Sequence, residues 1–110
     1  MKLSTERVIQ HVQERLNPRE LLLVNSICSM FGITLQQFFG KKSSARVIAY
    51  RNLFYKILRE AGYSCKDIAY VGGKNHSTIV YHLKKSVPEN LVTSFAELKE
   101  TYFTQWPIKS

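Results

Sequence analysis

The chain has 110 residues, with 16 Lys and Arg against 8 Asp and Glu, and a formal net charge of +8. That length favours one domain with a single modest core, burying roughly 65% of the extended-chain surface without disulfide or metal staples. No run approaches the length of a membrane span, the charged start Met1–Arg7 is unlike a secretory leader, and Cys28 and Cys65 lie too far apart for metal-ligand spacing, so a cytoplasmic protein with reduced thiols is expected.

Apolar spacing predicts a first helix over about 4–16, capped by Ser4, with Val8, Ile9, Val12 and Leu16 on its apolar face. Asn17-Pro18 ends it, because the residue before proline is pushed out of the helical region. Pro18 suits the first turn of a second helix over about 18–31, with Leu21, Leu22, Val24, Ile27, Cys28 and Phe31 inward and Gly32 as its stop. Thr34–Gly40 reads as a short capped helix closed by glycine, and Lys41-Lys42-Ser43-Ser44 as a basic loop. A long helix over about 44–61 buries Val47, Ile48, Phe54, Ile57, Leu58 and Ala61, while Arg51, Tyr55 and Arg59, four apart, share another face with Asn52 and Lys56 beside them. Ser64 with Asp67 approximates a capping box for a helix over about 64–71. A further helix is expected over about 75–86, and a last one over about 88–103 with Leu91, Phe95, Leu98 and Tyr102 inward. The expected architecture is an all-α, compact bundle of about six helices, with no sustained strand alternation.

The most informative stretch is Gly72-Gly73-Lys74-Asn75-His76-Ser77-Thr78. A glycine pair ends one helix in a tight turn, and Asn75 is a preferred N-cap for the next. Placing polar side chains at the first turn after such a turn is what a helix-turn-helix requires, because its second helix reads base edges with its N-terminal residues. The charge coincides with this motif. Residues 41–85 hold ten basic and two acidic side chains, whereas the flanks hold six of each, so all of the net charge lies in the segment that contains the turn. A positive field so concentrated attracts a polyanion, and duplex DNA is the densest common one. Lys84 and Lys85 also suit the negative end of a helix dipole and need no ligand to explain them. His76 and His82 lack a third ligand, and no paired carboxylate, Cys/His pair or phosphate loop stands in the basic half, so neither a metal, a cofactor nor catalysis is expected.

The run Val71–His82 resembles the signature of the C-terminal DNA-binding domain of DnaA, the bacterial chromosomal replication initiator, which reads approximately F-G-G-R-D-H-T-T-V. The likeness extends upstream through Phe31-Gly32-Ile33-Thr34, Phe38-Phe39-Gly40-Lys41-Lys42 and Leu58-Arg59-Glu60. It covers about residues 22–102, leaving 1–20 as an additional N-terminal helix and 104–110 as a loose tail of one domain spanning 1–110. The resemblance implies a helix-turn-helix that binds duplex DNA in a nucleoid-associated protein, with Lys74, Asn75, His76, Ser77 and Thr78 at the bases and phosphates of the major groove. It further implies that Lys41, Lys42 and Ser43 form a loop at the minor groove, and that Arg51 and Arg59 touch the backbone.

The chain departs from that pattern at several places. Asn75 stands where the family has Asp, Ser77 where it has Thr, Ser43 where it has a loop arginine, and Lys66 where it has proline. An Asp only accepts, whereas an Asn also donates and pairs best with adenine, so a shifted base preference is expected. No G-x-x-x-x-G-K-[ST] run exists, so a domain standing alone without the initiator's ATPase is expected. The rival reading is a protein-interaction adaptor of a replication or mobile-element system, using the N-terminal helix, Tyr81, Phe103 and Trp106. RNA binding is a third reading.

Overall fold

Helix starts in this chain are set by side-chain acceptors that satisfy otherwise orphaned amides. The computed structural model describes residues 4–40 and 44–105, with Ser4 and Thr5 by backbone, so the expected Ser4 cap, the loop residues Lys41, Lys42 and Ser43, and Trp106 lie outside the described residues. Among the described residues there are seven α-helices and no strand: α1 Ser4–Arg15, α2 Pro18–Phe31, α3 Leu35–Phe39, α4 Ala45–Glu60, α5 Cys65–Gly72, α6 His76–Lys84 and α7 Val92–Gln105, with a 3₁₀ turn at Glu89–Leu91. Asn17 and Thr34 close full capping boxes with Glu20 and Gln37. Ser44, Ser64 and Asn75 each accept from the backbone amide three residues on. The Ser64 box is one-sided, because no return bond from Asp67 accompanies the cap.

The core is built around α4, which packs against α2, α3, α5 and α6. Leu53, Phe54, Ile57 and Leu58 are fully buried, and Tyr55 nearly so. Phe31 stacks on Tyr50 with centroids 4.0 Å apart, and Phe38 meets Phe54 edge-on at 5.4 Å. These contacts fix the short α3 against the centre of the molecule, directly before the basic loop.

Several expected core positions lie elsewhere. Ile9 (51% exposed), Leu22 and Ile48 face solvent, while Leu23 and Glu20 are buried. Spacing by three and four identifies a face but not the arc that neighbours cover. Because α2 lies between α4 and α7, its buried arc is centred on Leu23, Val24 and Ile27. Glu20 is tolerated inside because its Oε1 accepts from the Asn17 amide and its Oε2 from the Tyr63 hydroxyl. The expected last helix is two elements, since the segment after extended Pro88 first makes a 3₁₀ turn. Leu91, Leu98 and Tyr102 are buried as expected, and Phe95 packs against the core half-buried. Thr104 and Gln105, expected in the tail, still belong to α7.

Candidate nucleic-acid interface

The two glycines between α5 and α6 serve different ends. Gly73 takes the left-handed conformation at φ 69°, and the bonds Gly73 N–H to Tyr70 O (3.4 Å) and Lys74 N–H to Ala69 O (3.0 Å) close a Schellman motif. Gly72 is the last residue of α5, and a Cβ there would stand 2.9 Å from Tyr55 Cε1, so α5 lies directly against the aromatic ring of α4. The turn is thereby both sharp and pressed onto the core.

Beyond it, Asn75 Oδ1 accepts from Thr78 N–H at 2.8 Å and starts α6. Asn75, His76 and Ser77 are exposed, Thr78 is half-buried, and Ile79 and His82 point inward. The solvent row continues through Tyr81, 58% exposed, and Lys84, with Lys85 Nζ 4.6 Å from the Tyr81 ring centroid. The C-terminal end of α6 is anchored from α4, where Asn52 Nδ2 donates to His82 O at 2.7 Å and Lys56 Nζ to Leu83 O at 3.1 Å. The His82 ring lies edge-on to Tyr55 at 5.1 Å. Burial lowers the His82 pKa below its ordinary value, and the positive charges of Lys85, Arg51 and Lys74 push it the same way.

The polar face of α4 is not the solvated surface that its charges suggest. Arg51 was expected at the DNA backbone, but it is only 5% exposed. Its Nε donates to Phe38 O at 2.6 Å and its Nη2 to Gly40 O at 2.9 Å and Gln37 O at 3.4 Å. The reason is local: the last carbonyls of the five-residue α3 have no intrahelical partners, and a planar guanidinium one helix away supplies several donors at once. Tyr55, on the same row, is buried, and burial pushes its hydroxyl up to about 12. Arg59 is exposed and donates to Tyr63 O at 3.0 Å. Lys74 is half-buried, with its pKa lowered by burial first and by the positive charge of Arg51 second. Spacing alone singled out neither Asn52 nor Lys56 as an anchor, because their acceptors lie about thirty residues away in the chain. Among the described residues no group of three or more His, Cys, Asp or Glu is arranged to hold a metal ion.

A family model described as the bacterial dnaA protein helix-turn-helix matches residues 22–85. The chain is also 31% identical over 67 residues to the chromosomal replication initiator protein DnaA of Kosmotoga olearia, an alignment covering 60% of this chain and 15% of that protein. No solved structure matches the chain. The matched segment runs from within α2 to the end of α6 and takes in the α3–α4 scaffold, the glycine turn and the exposed tip. With more than half of its residues so matched, the chain belongs to the bacterial DnaA helix-turn-helix family, a family of DNA-binding domains.

Proposed function

We propose that this chain binds double-stranded DNA with sequence preference through its helix-turn-helix, drawing on no ATPase within these 110 residues. The observation that carries this reading is the exposed row Asn75, His76 and Ser77 directly after the left-handed Gly73, within the segment that holds all of the net positive charge. In this reading α6 enters the major groove. Asn75 retains its Nδ2 donors and a second Oδ1 lone pair, a combination that matches the adenine edge. His76 donates to a base or packs on a thymine methyl, while Ser77 and Thr78, with the free amides of the first turn of α6, hold a phosphate. Lys74, Arg59, Lys41, Lys42 and Ser43 supply backbone contacts. Arg51 is assigned a positioning role instead: it holds Gly40, the residue that precedes the loop residues in the chain.

A nucleoid-associated, cytoplasmic location follows from this reading, and among the described residues no helix is long and apolar enough to cross a membrane. Because a relative is named a chromosomal replication initiator, origin duplex is the first natural DNA to try. The adaptor reading keeps the exposed Tyr81 and Ile9, but Phe103 packs against the core and is a poor anchor for a partner. An anisotropy titration with duplex DNA, single-stranded DNA and RNA separates the readings. Duplex is expected to bind tightest, and selection from random duplexes should enrich one motif. Equal affinity for all three nucleic acids, or no enriched motif, would remove the sequence-preferring reading.

A further inference from the structure

We propose that α1 is a long-range cap for the helix-turn-helix, with His11 and Arg15 as positioning residues that hold the C-terminal end of α5 and so set how the Asn75–Thr78 tip leaves the turn. Its consequence for affinity rests on the DNA-binding reading above. The helix itself lies outside the matched segment 22–85.

The last carbonyls of any α-helix lack intrahelical partners. In α5 the Schellman bonds satisfy Ala69 O and Tyr70 O, but they do not reach Val71 O. That carbonyl lies 2.7 Å from His11 Nε2, sixty residues away in the chain. A carbonyl only accepts, so Nε2 carries the proton. Arg15 Nη1 donates to Tyr70 O at 3.3 Å, with its guanidinium 5.0 Å from the Tyr70 ring centroid, and Tyr70 Oη returns a bond to Glu14 O at 3.3 Å. A cation at a helix C-terminus is also favoured by the dipole. The His11 ring covers Gly73 so closely that a Cβ there would stand 2.8 Å from His11 Cε1. The same ring lies 4.9 Å from that of Phe39, next to the glycine that Arg51 holds. One side chain of α1 therefore touches both segments that lead into the proposed DNA-contacting residues, without belonging to the proposed contact surface itself.

The test uses full-length variants at pH 8. His11→Gln keeps a side-chain N–H donor at the place of Nε2, whereas the nearly isosteric His11→Glu offers that carbonyl only acceptors. Expected are wild-type behaviour for H11Q and, for H11E, about a tenfold loss of affinity for the selected duplex with an unchanged slope of log K against log salt. Amide hydrogen exchange at Lys74–Thr78, measured without DNA, should be faster in H11E and unchanged in H11Q. Should H11E fail to fold, the exposed Arg15→Ala variant carries the test, with the same faster exchange confined to the turn. Wild-type exchange protection and affinity in H11E, or in R15A where that variant carries the test, would overturn the proposal. If the wild-type chain binds no duplex, the DNA-binding reading falls, while the exchange comparison still decides whether α1 caps the turn.

Discussion

Asn75 uses one amide for two purposes, and that makes its substitutions informative. Its Oδ1 starts α6, and its Nδ2 remains for a ligand. Asn75→Asp keeps the cap but loses the donor. Stability in urea should therefore stay within about 0.5 kcal/mol of wild type, while the selected motif changes at one position. Asn75→Ala loses both, and should cost about 1 kcal/mol of folding stability together with about 1–3 kcal/mol of binding to the selected duplex. Similar urea stabilities for the two variants would show that the cap carries little weight. Two histidines, His11 half-buried and His82 buried, supply a second test at this scale. Burial is the largest cause that lowers both His11 and His82 below 6.5, the value at which they titrate in the unfolded chain. Just below 6.5 the unfolded chain thus binds more protons than the folded one, so stability falls as the pH is lowered through 6.5 and is insensitive to these groups above about 7.5. A melting temperature that drops between pH 8 and pH 5.5, with a shallower drop in His82→Gln, is the expected result.

At the scale of elements, α6 has nine residues, too few to be stable as an isolated helix. It is held by the Asn75 cap at one end, by Asn52 and Lys56 at the other, and by Ile79 in the core. The turn before it can be tested against an internal control. Gly32 and Gly73 have nearly the same left-handed backbone, at φ 67° and 69°. A Cβ at Gly32 would meet nothing within 4 Å, whereas at Gly73 it would meet His11. Gly32→Ala should cost about 1–2 kcal/mol, the price of the left-handed region alone. Gly73→Ala should cost clearly more, and His11→Ala should recover part of the difference in a double-mutant cycle. Equal losses at the two glycines in chemical denaturation would mean that α1 does not press on the turn.

For the whole molecule, the distribution of charge is the quantity of interest. Ten of the sixteen basic residues lie in 41–85, and six of the eight acidic residues lie in the flanks, including Glu97 and Glu100 on α7. If about six phosphates are neutralised, log K should fall against log salt with a slope near −5. Arg59→Ala should make that slope shallower by about one. Arg51→Ala should weaken binding and stability but leave the slope in place, since its guanidinium is directed at the carbonyls of Phe38 and Gly40. A slope lost with Arg51 instead would return that residue to the contact surface.

Much of this molecule was legible before any coordinates. The capped start at Thr34, the caps Ser64 and Asn75, the break at Asn17-Pro18 and the stop Gly32 act over three to five residues, so they can be read in the chain, and together with apolar spacing they place six of the seven helices within about two residues, while Asn17 and Ser44 prove to be caps that the sequence reading did not assign. The double glycine with its polar tip, and the net charge gathered in 41–85, are likewise local facts of sequence. The tertiary structure decided what lies opposite each face. Arg51, Asn52 and Lys56 read as a row of exposed charges and amides on α4, yet they bond carbonyls 11 to 30 residues away, and His11 bonds one 60 residues away. Helical spacing tells which side chains share a face, but not whether water or an uncapped helix end meets it. That is settled by packing, because a buried carbonyl without a donor costs more than a surface cation loses by turning inward to serve it.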